Sequence, residues 1–277
     1  MNGPEAKAAE VLAGVPGYVW NGRTLPVPVE EIAESCFRLR IHEVDDLSAI
    51  AGAPQGVRLS GLLVVGDRKV LVNAAEAESS PGRRRFTIGH ETGHWCLHRT
   101  LEDTLFCRHG ERGLDALEQD APDIEDEASR FAGALLFPPG LLRAAHARTH
   151  GDLARLSERF GTSKVATERA VFREIHHDQV RDRVGQDLQC FFWDDPGYDA
   201  WRAAHAREGY VANDNLAEPA AAKLHRAGCS YLNRVARDGM PRTRAPKWCS
   251  TDRDLVRYAL PQAKVCTSCE RAFRPVR

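Results

Sequence analysis

The sequence predicts an α+β protein. A small antiparallel or mixed sheet packs on a helical core, followed by a helix-turn-helix-like segment and a less regular C-terminal region. Three observations carry this reading. Leu39 and Ile41 alternate with Arg38, Arg40 and His42, and two apolar runs, 59–65 and 69–73, flank Gly66-Asp67. Alternation and a short polar turn mark half-buried strands and a hairpin. Segments 83–99 and 122–137 read as helices, the second stopped by Pro138-Pro139. After about residue 185 the pattern weakens.

The elements follow in order. Residues 1–27 are rich in Ala, Gly and Pro and end in Thr24-Leu25-Pro26-Val27-Pro28, which reads as an arm or linker. Over 29–37, Ile32, Ala33 and Cys36 fall at helical spacing. In 83–99 the apolar positions Phe86, Ile88, Trp95 and Leu97 suit a buried helix better than a narrow stripe. Asp120, Asp123, Glu125 and Asp126 lie in or before the first turn of 122–137, where acidic groups favour the helix dipole. Three more helices are expected at 140–148, 152–160 and 163–175. The expected organisation is an arm at 1–27, a sheet-and-helix domain at 28–150, the helix-turn-helix-like segment at 151–185 and a C-terminal region at 186–277.

Composition bounds the partners. At 277 residues and 43% apolar content the chain has material for one or two cores. Lys+Arg 38 against Asp+Glu 39 argues against coating nucleic acid or an anionic membrane by bulk charge, while leaving room for a local patch. No apolar run reaches the roughly 18 residues of a spanning helix. Glu5 and Glu10 interrupt the first twenty residues, so no secretory leader is expected and the cytoplasm is the default location. Eight cysteines are too dilute for a disulfide scaffold and fit a reducing compartment. Cys36, Cys96, Cys107 and Cys190 are scattered and read as small buried hydrophobes.

The chemistry concentrates in His90-Glu91-Thr92-Gly93-His94. Two histidines four apart on a helix point from one face, so both can reach one Zn²⁺ at about 2.0–2.1 Å. Glu91 sits beside the first of them, where it can take a proton from water at the metal and pass it to a leaving amine. A catalytic zinc needs a third protein ligand and an open position. The acidic start of the next helix offers Glu125, Asp126 or Glu127. His98 lies a further turn from the pair and reads as a supporting or core histidine. His109, in a Gly- and Arg-rich loop, reads as solvent-facing.

These residues resemble the ImmA/IrrE-like metallopeptidases. The resemblance rests on Arg85–His94 with Leu97-His98, on Glu125–Ala132 with Leu135-Leu136-Phe137-Pro138, and on the strand pair Ser60–Leu63 and Val70–Asn73, and spans roughly 28–175. It implies a zincin-like metallopeptidase core, with metal ligands His90, His94 and Glu125 and Glu91 as catalytic base and acid. Ser129 would stand one turn on from Glu125. The family usually has Asn at the Ser129 position and Met at the Phe137 position. A hydroxyl can still hydrogen-bond there, with less reach than an amide. Gly93 inside the helix would leave room beside the metal for another backbone. The implied activity is an intracellular regulatory endopeptidase that cuts a helix-turn-helix repressor, in stress response or transcription regulation. The alternative is a metal-stabilised transcriptional regulator, or a protein- or DNA-interaction module, without proteolysis.

Beyond this segment, 153–163 and 165–171 have the spacing of a helix-turn-helix, with Lys164, Arg169 and Arg173 on the second helix diluted by Glu168 and Glu174. Packing or substrate docking is favoured over DNA contact. Cys266 and Cys269 are half of a possible second, structural zinc site, completed by Cys229 with Cys249 or with His225 in its place. Arg234, Arg237, Arg242, Arg244 and Lys247, interleaved with Tyr231 and Trp248, read as solvated surface rather than a partner patch. Trp193, Tyr198 and Trp201 read as core. By position alone, residues 1–27 are a candidate lid.

Overall fold

The structure is a computed structural model that describes residues 3–51, 59–100, 105–109, 122–185, 188–216, 218–233 and 240–273. The chain divides into two compact units, Met1–Val171 and Phe172–Arg277. The architecture is α+β, with a small mixed sheet in each unit.

The N-terminal unit runs α1 (Pro4–Gly14), α2 (Val29–Phe37), β1 (Arg40–Val44), α3 (Leu47–Ala51), β2 (Leu59–Val64), β3 (Lys69–Asn73), α4 (Ala74–Ser79), α5 (Pro81–Leu97), β4 (Leu105–His109), α6 (Pro122–Leu136), α7 (Pro139–Thr149), α8 (Leu153–Phe160) and α9 (Lys164–Val171). Its strands are ordered β1-β3-β2-β4, with β1 parallel to β3 and the other pairs antiparallel. The β2–β3 hairpin pairs Val64 with Lys69 and Gly61 with Val72. Strand β2 has neighbours on both sides and buries Leu59 through Leu63, so its apolar run is continuous rather than alternating.

Helix α5 crosses this sheet and packs between α2 and α6. Pro81 opens it, where a missing N–H costs nothing. Residues Thr87 through Trp95 are all buried, as the spread of apolar positions predicts. Arg84 ties its first turn to the neighbouring elements, through Glu30 of α2 (2.5 and 2.9 Å) and Glu43 of β1 (2.8 Å). The Arg84 hydrogen bond lowers the Glu30 carboxyl against the opposing effect of partial burial.

Where composition predicts an arm, the structure has α1. Its Ala, Glu, Lys and Leu residues are good helix formers, and it packs on α6 with Glu5 bound to Arg130 at 2.7 Å. Helix α8 begins at Asp152, whose carboxylate accepts from the N–H groups of Ala154 and Arg155. Its Leu156 and Phe160 are buried, and α8 packs against α9. The α8–α9 turn lies against the start of α5: a Cβ on Gly82 would come within 2.6 Å of the Thr162 backbone.

The C-terminal unit is more regular than its sequence pattern predicts. A π-helical turn (Phe172–His176) leads into α10 (His177–Val184), then β5 (Gln189–Phe191), α11 (Asp195–Ala204), β6 (Tyr210–Asn213), β7 (Lys223–Arg226), β8 (Lys247–Ser250), α12 (Arg253–Ala259) and β9 (Lys264–Val265). The five strands form one sheet, ordered β5-β8-β6-β7-β9. Tyr198, Val211, Leu224, Trp248 and Val256 are the centre of its core. Each such side chain contributes roughly 1.5–3 kcal/mol when removed from water. Tyr198 and Trp201 are core residues as expected. Trp193 is half-buried. Among the described residues no helix is long and apolar enough to cross a membrane.

Candidate metal centre

The local sequence of α5 fixes the first two donors. His90 and His94 are one turn apart, both buried, and their Nε2 atoms lie 3.0 Å from each other. Helix α6 supplies the third. Glu125 places Oε2 3.0 Å from His90 Nε2 and Oε1 3.2 Å from His94 Nε2. Burial alone would raise the Glu125 carboxyl, but the two imidazoles hold it well below the usual carboxylate range. The three donor atoms all lie within 4.8 Å of one another, close enough for one metal ion.

The α5–α6 approach that makes this possible depends on Gly93. A Cβ there would stand 3.1 Å from both the Ala128 carbonyl oxygen and the Phe131 ring. A larger residue would fit only if the Ala128 backbone or the Phe131 ring gave way by a few tenths of an ångström.

Hydrogen bonds on the far side of each ring set the tautomers. A carboxylate only accepts, so the His98 Nε2 that faces Glu127 Oε2 at 2.9 Å carries the proton. In a neutral ring His98 Nδ1 is then the acceptor, and burial lowers the His98 pKa against the pull of Glu127. His94 Nδ1, 3.1 Å away, must donate to it. The lone pair of His94 therefore sits on Nε2, facing Glu125 and His90. Ser129 Oγ lies 3.2 Å from His90 Nδ1; with the hydroxyl as acceptor of the ring proton, His90 Nε2 is left in the same state. Two facing nitrogen lone pairs beside a carboxylate are a donor set that a divalent cation satisfies. The fit of the residues to such an ion rests on this.

Glu91 is fully buried. Gly61 of β2 lies against it: a Cβ at this glycine would fall 2.7 Å from Glu91 Oε1 and 2.4 Å from Thr87 Cγ2. The space that the Glu91 carboxylate occupies thus depends on β2 having no side chain at this point.

The expected site residues take these places. Glu125 joins His90 and His94, while Asp126 is exposed and pairs loosely with Arg130 (3.7 Å). Glu127 serves His98, which supports His94 from behind. The backbone of His109 belongs to strand β4, not a loop; its side chain, those of Cys107 and Asp123, and all of Asp120 lie outside the described residues. The supporting place expected for His98 is the one it takes, signalled by its i+4 spacing from His94. Sequence reasoning missed Glu127 as the partner of His98, and Gly61, which nothing local signals.

In the C-terminal unit, His225, Cys229, Cys266 and Cys269 also form a group able to hold a metal ion. Cys249 does not belong to it; it lies in β8, inside the sheet. The basic stretch is not simply solvated. Lys247 is 5% exposed, because β8 runs between β5 and β6. Its Nζ donates to the Ala245 carbonyl at 2.7 Å and to Asn213, and burial pushes its ammonium down to about 8. Arg242 pairs with Asp195 and Asp199. Lys223, Arg242, Arg244 and Lys247 help to line a cavity of about 650 Å³ in this unit. Arg234 and Arg237 lie outside the described residues. Cys36, Cys96 and Cys190 are half-buried free thiols, less enclosed than expected.

A mixed sheet under a helix bearing His-Glu-x-x-His, with a carboxylate brought in from the following helix, is the build of a metallopeptidase-type domain. Residues 60–172 match the model of the peptidase M78 family, described as the IrrE N-terminal-like domain. This segment is thus an IrrE N-terminal-like domain, in agreement with the family its motifs resemble. Among solved structures it is similar to a Mycobacterium tuberculosis transcriptional regulator, at 18% identity and a TM-score of 0.38, over 61% of this chain and 45% of that one. The chain thus spans less than half the length of that protein. No curated protein matches the sequence.

Proposed function

We propose that the chain is a zinc-dependent regulatory endopeptidase acting in the cytoplasm. Its substrate is a protein, with a helix-turn-helix transcriptional repressor the kind that the family resemblance favours. The observation that carries this is the convergence of His90 Nε2, His94 Nε2 and Glu125 at 3.0–3.2 Å, with Glu91 next in sequence and fully buried.

When bound, zinc supplies a Lewis acid that polarises the scissile carbonyl and acidifies water. His90, His94 and Glu125 hold it. Glu91 takes the proton from the attacking water and delivers it to the leaving amine. His98 and Glu127 keep His94 in the tautomer whose Nε2 can donate a lone pair, and Ser129 does the same for His90. The α8–α9 pair is read as a packing or docking element rather than a DNA reader. Its turn sits against α5, and Leu156, Phe160 and Val171 are buried.

The test is cleavage of a repressor encoded beside this chain, by wild type and by Glu91→Gln at equal zinc content. Glu91→Gln is expected to lose about 10²–10⁴-fold in rate while keeping its metal. Equal cleavage by the two proteins removes Glu91 from the mechanism. No cleavage by either, with salt-dependent DNA binding intact in both, favours an interaction module instead.

A further inference from the structure

The second donor group differs from the first in every respect that separates a structural metal from a catalytic one. His225 lies on β7, and Cys229 follows in the turn after it. Cys266 and Cys269 follow β9. The four ligand atoms lie within 4.8 Å of one another, and all four residues are buried, at 4–8% exposure. The sulfurs are free thiols, not disulfides. His225 Nδ1 is buried and has no hydrogen-bond partner among the described residues. Buried ring nitrogens are nearly always paired, so an orphan of this kind calls for a ligand.

The backbone around the group is also arranged for it. Cys229 N–H donates to the Arg226 carbonyl (3.0 Å), and Cys269 N–H donates to the Cys266 carbonyl (2.8 Å), so each half is a tight turn. Arg226 N–H donates to Cys269 Sγ at 3.4 Å, a contact that stabilises negative charge on that sulfur. The strand pairing here needs help. β9 has two residues, and its parallel register on β7 is only Lys223 with Lys264 and Leu224 with Val265. So short a parallel edge is weak by itself. A link from the β7 turn to the β9 turn would close it.

We propose that His225, Cys229, Cys266 and Cys269 bind one structural Zn²⁺ that pins β9 to β7, independently of the peptidase-type centre. Three thiolates and an imidazole form a closed four-ligand set with no position left for substrate. Soft sulfur donors favour zinc over magnesium, calcium or manganese. The close spacing of the four atoms suits a single ion, whereas an iron–sulfur cluster would stand between the ligands and spread them apart. Cys249 takes no part.

The experiment is metal analysis of the purified full chain, with the His90→Ala/His94→Ala variant to isolate the second site. That variant is expected to keep one zinc per chain. Mercurial titration of its thiols should release this zinc, and Co²⁺ in its place should give the intense thiolate-to-metal absorption of a tetrahedral site. Cys249→Ala on the same background should change none of this. Adding Cys266→Ser and Cys269→Ser should take the zinc content to zero. Because the mercurial and cobalt readouts use a chain with all four ligands intact, misfolding of the cysteine variants does not decide the outcome. A His90→Ala/His94→Ala protein that holds no metal, holds iron with sulfide, or carries a disulfide among these cysteines overturns the proposal. So does loss of zinc in Cys249→Ala.

Discussion

The two donor sets of this chain make a useful contrast. In the N-terminal unit two imidazoles and a carboxylate meet, and the Glu125 side chain remains 26% exposed. In the C-terminal unit three thiols and an imidazole meet, and every member is buried. Three ligands with one open side leave room for water and a carbonyl, whereas four enclosed ligands leave none. The supporting contacts differ in the same sense. Around the first set, side chains prepare the ligands: Glu127 and His98 behind His94, Ser129 behind His90. Around the second, mainly backbone N–H and carbonyl groups of two turns do so. Side chains can tune reactivity, while backbone fixes shape. Both units thus hold a group able to bind a metal, and the greater exposure of the first is what supports proposing catalysis there rather than at the second.

The largest effect that sharpens this contrast after Glu91→Gln is expected from Gly61→Ala. The added methyl meets Thr87 and the Glu91 carboxylate but none of the three ligands. Peptidase activity should fall roughly 10²-fold, the cost of moving a reacting group by about 1 Å, with zinc content unchanged. Assay of activity and metal on one preparation checks this, and parallel loss of both would show that β2 supports the ligands instead.

Removing the Glu127 carboxylate should have a smaller effect. Glu127→Ala leaves His98 without its acceptor and frees the tautomers of the chain, so zinc affinity of the first site should drop about 10-fold. Glu127→Gln, which keeps an accepting oxygen, should lose less. Competition with a chromophoric chelator measures both, and zinc in the thiol site should not respond.

The smallest effect concerns the frame of the first unit. Arg84 lowers the Glu30 carboxyl below its ordinary value of 4.5. The stability it contributes is therefore present above about 4.5 and is lost as pH falls through the lowered folded-state value. Glu30→Gln should cost about 0.5–1 kcal/mol near neutrality, a modest sum because the pair is partly exposed. The difference from wild type should vanish in acid. Chemical denaturation followed at two pH values checks it, and unfolding of the C-terminal unit should be unaffected.

The first donor set was legible in the sequence because its information is local. His90 and His94 share a face by helical spacing alone, and the hairpin and α5–α9 lie close to where patterning puts them. Glu125 was legible only with the family motif, since spacing left Asp126 and Glu127 equally open. The second set was half legible. Cys266 and Cys269 are adjacent in sequence, but the choice of His225 over Cys249 depends on β7 pairing with β9, a contact between distant segments. The C-terminal sheet escaped for a related reason: strands of two to four residues are too short to show a period of two. Helix α1 was hidden by its neighbours, for Pro4 and Gly14 bound a run of Ala, Glu, Lys and Leu that favours helix. Lys247 misled because charge is a surface signal, and only the sheet order shows the enclosed strand that carries it.

The most direct test of the central claim, a single ion shared by His90, His94 and Glu125, is zinc X-ray absorption on a Cys266→Ser/Cys269→Ser chain loaded with one equivalent of metal. Nitrogen and oxygen neighbours only are expected, at about 2.0–2.1 Å, with imidazole scattering from two histidines. Sulfur neighbours near 2.3 Å, or scattering from one histidine alone, would contradict the claim.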